Sequence, residues 1–112
     1  MTGEAGAVRS MHVITRKRLL EFGRRHPEAE TPLDVWYRLL KAGRFTSWAA
    51  LKQAFGAADS LGRRLVVFDI GGNTYRVVAN VRYASATNVG RVWVRHVFTH
   101  AQYDRWARER RR

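Results

Sequence analysis

A chain of 112 residues that is 46% hydrophobic and 12% aromatic can bury one core but not two, which excludes a disordered or multidomain protein. Its 21 Lys and Arg against 9 Asp and Glu leave a formal net charge of +12; such self-repulsion points to a polyanionic partner, nucleic acid first. With no cysteine, thiolate metal sites and disulfides are excluded, and no apolar run is long enough to cross a bilayer.

The first ten residues, MTGEAGAVRS, lack the apolar stretch of a signal peptide. They read as a flexible leader ahead of a single domain over 11–112, and the cytoplasm is the expected compartment. MHVIT (Met11–Thr15) predicts a short strand. RKRLLEFGRRH spaces Leu19, Phe22 and His26 for a helix that Pro27 ends. In TPLDVWYRLLKAG, Thr31 is the expected cap and Pro32 the first helical residue. Leu33, Trp36, Tyr37 and Leu40 form its apolar face, and Gly43 closes it. TSWAALKQAFG predicts a shorter helix capped by Thr46 or Ser47. The short connection between the two long helices favours an antiparallel hairpin.

After Gly62 the apolar period falls to two. RLVVFDI, TYRVVANVRY and GRVWVRHVFT predict three successive strands, the first pair joined at Gly71-Gly72-Asn73. Connections this short make them antiparallel. Thr99 and Gln102 have the spacing of a capping box and start a C-terminal helix. The expected fold is α+β: an antiparallel sheet of about four strands, an N-terminal helical hairpin packed on it, and a C-terminal helix.

Alternation assigns the faces. Tyr75, Val77, Ala79, Val81 and Tyr83 fall on one side of the middle strand, the core side; Arg76, Val78, Asn80 and Arg82 fall on the other. On the last strand, Val92, Val94, His96 and Phe98 alternate with Trp93, Arg95, Val97 and Thr99. Arg76, Arg82, Arg95 and Trp93 are therefore expected to share a solvated face able to hold phosphates and stack a base. An arginine on such a face should be removable without harm to the fold. His96 falls with the apolar set, whereas His100 opens a capped helix, where backbone N–H groups favour an anion. Tyr103 and Asp104 lie one turn further on. The four histidines have no accompanying carboxylate cluster at ligand spacing, so no metal is expected.

The order MHVITRKRLLEF, LDVWYRLLKAG, SWAALKQAF, ADSLGRRLVVFDIGGNTYRVVANVRY and VWVRHVFTHAQYD resembles the HigB-type toxins of the RelE-like superfamily, from Met11 to about Trp106. VFDIGGNTYRVVA and VRHVFTHAQYD are its most specific parts. The resemblance implies a compact α+β domain and the toxin of a type II toxin–antitoxin module. It implies an mRNA interferase that needs no cofactor or metal, cuts messenger in the ribosomal A site and so inhibits translation. The partners it implies are mRNA, the ribosome and a HigA-type helix-turn-helix antitoxin, through which the complex binds operator DNA. The implied chemistry is attack of a ribose 2′-OH on the adjacent phosphorus. Arg76 and Arg95 then supply charge, and His100 is the first and His96 the second proton-transfer candidate. Tyr103 positions the base or substrate, and Asn73, Tyr75, Arg82 and Trp93 contact RNA. Two other readings stay open: a catalytically silent RNA- or ribosome-binding module, and a basic surface that docks an acidic protein.

Overall fold

Met11–Ile14 forms strand β1, and it pairs in parallel with the last strand of the chain instead of extending an antiparallel meander. This is visible in the computed structural model, which describes residues 11–111. The leader expected over residues 1–10 and the last arginine lie outside the described residues. From β1 the chain turns at Thr15, which has a left-handed φ of 68°, into helix α1 (Arg16–Arg25). Pro27 ends α1 as expected. The next helix does not begin at a Thr31 cap, however. A single 3-10 turn, Pro27–Ala29, feeds directly into α2 (Glu30–Ala42), so Thr31 and Pro32 lie inside its first turn. Pro32 is tolerated there because the leading N–H groups of a helix have no intrahelical partner. Helix α3 (Trp48–Ala54) follows, capped by Ser47, whose Oγ accepts from the N–H of Ala50 at 3.1 Å.

The remaining strands are β2 (Ala58–Gly62), β3 (Leu65–Ile70), β4 (Tyr75–Arg82) and β5 (Gly90–Thr99), and helix α4 (His100–Arg110) ends the described chain. They build one mixed sheet in the order β1-β5-β4-β3-β2. The expected antiparallel sheet of about four strands thus has five, with β1 as its one parallel neighbour among the described residues. The additional strand, β2, reads ADSLG and has no apolar alternation. Its pairing with β3 is imposed by a two-residue hairpin loop at Arg63 and Arg64, whose φ values of 50° and 64° are both left-handed. That is the turn whose twist matches a hairpin.

One face of the sheet carries the core. Met11 and Val13, Val66, Phe68 and Ile70, Val77, Ala79 and Val81, and Val92 and Val94 are all buried there. They pack with Leu19, Phe22, Leu33, Trp36, Leu40 and Leu51 of the helices. Trp36 and Phe55 meet Phe68 edge-on at centroid distances of 5.2 and 5.4 Å, a geometry worth about 0.5–1.5 kcal/mol per pair beyond the area buried.

The opposite face is where a local irregularity changes the reading. Between β4 and β5 the register steps from Ala79 opposite Val94 to Val78 opposite His96, leaving Arg95 unpaired. A bulge of one residue reverses the alternation beyond it. Val97, expected on the solvated side, packs against the core. His96 and Phe98, expected with the core, stand on the second face, where Phe98 is opposite Arg76 and Arg76 is opposite Asp69. Helix α4 returns across this second face. Trp106 lies 5.3 Å from the His96 ring and 5.8 Å from Phe98.

Candidate active site

The site is assembled around the β3–β4 turn. Gly71, Gly72 and Asn73 all have positive φ, Asn73 at 80°. Asparagine tolerates that conformation better than most side chains. The turn aims both the carbonyl and the side-chain oxygen of Asn73 at Arg76. Arg76 Nη1 donates to Asn73 O at 2.9 Å and to Tyr75 O at 3.2 Å, and Nη2 donates to Asn73 Oδ1 at 2.7 Å. Nε pairs with Asp69 Oδ1 across the hairpin at 2.9 Å. The remaining Nη2 hydrogen faces His100 Nδ1 at 3.2 Å. A guanidinium has five donors, and here each has an acceptor.

Arg76 is therefore not the exposed phosphate contact that alternation suggested. It is 7% exposed, covered by Phe98 beside it on the sheet and by Tyr103, over whose ring the guanidinium sits at 5.6 Å. Its donors tie a strand, a turn and a helix together.

His100 is fixed by the start of α4. The expected capping box is present: Thr99 Oγ1 accepts from Gln102 N at 3.2 Å, and Gln102 Oε1 accepts from Thr99 N at 2.8 Å. The His100 amide donates to Thr74 O at 3.1 Å, so the helix begins against the same turn that holds Arg76. Two groups flank Nδ1 of the ring. When unprotonated it accepts from Arg76; when protonated it donates to Asn73 O, 3.4 Å away. Nε2 reaches Asp104 Oδ2 at 3.1 Å, and both side chains are about half exposed. The imidazole thus has a partner at Nδ1 in either protonation state, and its other nitrogen opens to solvent beside a carboxylate. Burial pushes the Tyr103 hydroxyl above its usual range against a smaller opposing pull from Arg76, with Asp69 and Asp59 adding to the rise. It stays a hydrogen-bond donor at neutral pH.

The other expected residues are spread along the sheet. His96 stacks on Phe98 at 5.0 Å with an interplanar angle of 12°. Burial, then the charges of Arg18 and Arg95, pull its pKa below the ordinary histidine value. Arg95 is exposed at the bulge and its Nε donates to Asn80 Oδ1. Trp93 is half-buried on the second face, opposite Asn80. Arg82 lies six positions from Arg76 on β4, about 20 Å at strand rise. The arginines form a track, not one clamp. Tyr75 departs furthest from expectation: it is 8% exposed on the core side and edge-on to Phe22 at 5.7 Å, so its ring faces away from this track.

Asp104 was legible from its spacing to His100, but Asp69 was missed. Its signal was present, because a hairpin centred on Gly72-Asn73 pairs position 69 with 76. Among the described residues no three His, Asp or Glu side chains gather into a metal-holding group.

Comparison with known proteins agrees with this architecture. Residues 29–106 match the model of the HigB toxin family, described as the RelE-like toxic component of a toxin–antitoxin system. A protein named mRNA interferase HigB from Escherichia coli O6:H1 (strain CFT073) is 31% identical over 100 residues, covering 88% of this chain and 93% of that one. An mRNA interferase toxin HigB from Escherichia coli K12 is 33% identical over 96 residues, covering 84% and 88%. This α+β chain, matched over most of its length on both counts, belongs to the HigB family of RelE-like toxins.

Proposed function

We propose that this protein is an mRNA interferase, an endoribonuclease that cuts messenger RNA, in the ribosomal A site, and so inhibits translation. The observation that carries the reading is His100, poised between Arg76 and Asn73 at one nitrogen and Asp104 at the other. A proton-transfer group held this way suits cleavage that uses the RNA's own 2′-OH. In the tautomer whose Nδ1–H donates to Asn73 O, His100 has its lone pair at Nε2, which takes the 2′-OH proton where substrate displaces Asp104. The 2′-oxygen bonds to phosphorus, and the bond from phosphorus to the 5′-oxygen breaks. A proton reaches that leaving oxygen from Tyr103 or from the protonated His100. The products are a 2′,3′-cyclic phosphate and a 5′-hydroxyl. Arg76 acts by positioning: its donors hold the Asn73 turn and His100 Nδ1 in place. Arg95, Arg82 and Trp93 hold the strand along the sheet, and His96 contributes a stacking surface with Phe98. No step calls for a metal or cofactor.

The family's description, the RelE-like toxic component of a toxin–antitoxin system, supports a toxin–antitoxin setting for this activity. The partner we propose is a HigA-type helix-turn-helix antitoxin that covers the basic face and carries the complex to operator DNA. Primer extension on a defined mRNA in a bacterial translation extract tests the reading, comparing wild type with His100→Ala and translated with naked RNA, with and without EDTA. Cuts that need translation, survive chelation and fall by roughly 10²–10⁴ in the variant are expected for loss of one acid–base group. Absence of cuts with RNA binding retained would establish the silent binder instead.

A further inference from the structure

The end of the second face away from His100 carries an arrangement that folding alone does not favour. Arg82 on β4 stands directly opposite Arg91 on β5, and Arg91 is in register with His12 on β1. The flanking residues Met11, Val13, Val81 and Val92 are buried in the core, so these three side chains share the second face. Arg91 and His12 are exposed and Arg82 is half-buried. Like charges directly opposite on neighbouring strands repel. The other cationic rung of this face is neutralised, Arg76 by Asp69 at 2.9 Å. At the far end neither arginine forms an ion pair with another described residue.

We propose that Arg82, Arg91 and His12 form a second phosphate-binding site that holds the RNA substrate strand a few nucleotides from the reacting phosphate. This rests on the reading of the substrate as RNA. An anion shared by two opposed guanidinium groups turns their repulsion into binding, and arginine forks suit phosphate oxygens. The distance from Arg76 is about 20 Å along β4. Between them Trp93 offers a ring and Arg95 a further cation, so the face alternates charge and stacking surface as single-strand grooves do. Contacts so far from the scissile bond hold ground state and transition state alike, and their loss appears in affinity.

The test is equilibrium binding of RNA carrying 2′-O-methyl riboses throughout, which cannot be cut, as a trinucleotide and as a decamer over a range of salt. Wild type should prefer the decamer. Arg82→Ala with Arg91→Ala should weaken decamer binding on the order of tenfold and lower its salt slope by about 0.7, the value for one lost phosphate contact on a single strand. The trinucleotide should be little affected. The corresponding lysine pair should keep most of the slope, and Arg91→Ala should melt no lower than wild type because a repulsion is removed. An alanine pair that binds the decamer with wild-type affinity and slope overturns the site. So does a pair that loses only ribosome co-sedimentation, which would assign it to ribosomal RNA, or only an acidic protein partner. A wild-type protein that binds no RNA sinks the underlying reading instead.

Discussion

Arg38 and Arg76 each meet a carboxylate at 2.9 Å through Nε, yet their removal should differ severalfold in effect. The Arg38 pair with Asp34 is a surface contact, 77% and 42% exposed, whereas the Arg76 pair with Asp69 is 8% and 26% exposed. An exposed i,i+4 pair contributes about 0.3–0.5 kcal/mol. Removing one partner of a buried pair costs about 3–5 kcal/mol, because the other charge is left without compensation. Asp69 retains some water, so the lower end, about 3 kcal/mol, applies to Arg76→Ala. At about 4 °C per kcal/mol for a domain of this size, the melting temperature should fall by roughly 12 °C. Arg38→Ala should shift it by no more than about 2 °C. Thermal unfolding followed by circular dichroism at neutral pH measures both. Equal small shifts would show that the buried hub does not hold the turn, and the earlier expectation of a removable surface arginine would stand. Arg76→Lys separates stability from positioning. It keeps the charge but has three donors, too few for the five acceptor atoms that Asp69, Asn73, Tyr75 and His100 present to the guanidinium. Cleavage measured below its melting temperature should show a displaced pH–rate profile; a wild-type profile would rule out positioning of His100 through the guanidinium fork.

Thr99→Ala removes the cap that starts α4 and should cost about 1 kcal/mol, a fall of roughly 4 °C; an unchanged melting curve would refute the capping box as the anchor of His100. His96 gives a pH prediction. Its folded pKa lies below the ordinary 6.5, so between the two values the unfolded chain binds a proton that the folded chain refuses. Stability should then decline as pH drops from about 6.5 through the folded value. His96→Gln should flatten that part of the stability–pH curve, and a variant with the wild-type slope would assign it to other groups.

The elements that declared themselves in the sequence are those whose residues satisfy a local rule. Pro27 stops α1, Ser47 caps α3, Thr99 and Gln102 close the box that opens α4, and Gly71-Gly72-Asn73 turns β3 into β4. What local rules do not contain is pairing between distant segments. β1 lies parallel to β5 because residues about eighty positions apart meet, and nothing in MHVIT specifies that direction. β2 is a strand because β3 offers it hydrogen bonds, although ADSLG combines residues poor in strand propensity.

The site shows the same division more sharply, since a single inserted residue decides it. Strict alternation along GRVWVRHVFT places His96 with the core and Arg95 with the open face. Arg95 is the unpaired residue of a bulge, and every side chain beyond it changes sides. The Val94 carbonyl just before the bulge accepts from Thr15 Oγ1 at 3.0 Å, a contact across 79 positions that no window of sequence displays. The reversal brings Phe98 opposite Arg76 and sets Thr99 on the core side, so that α4 starts against the β3–β4 turn with His100 beside Asn73. Without the extra residue, Val97 would face Arg76 and Phe98 would enter the core. The bulge therefore places the histidine, and its cause lies in tertiary contacts that sequence periodicity does not record.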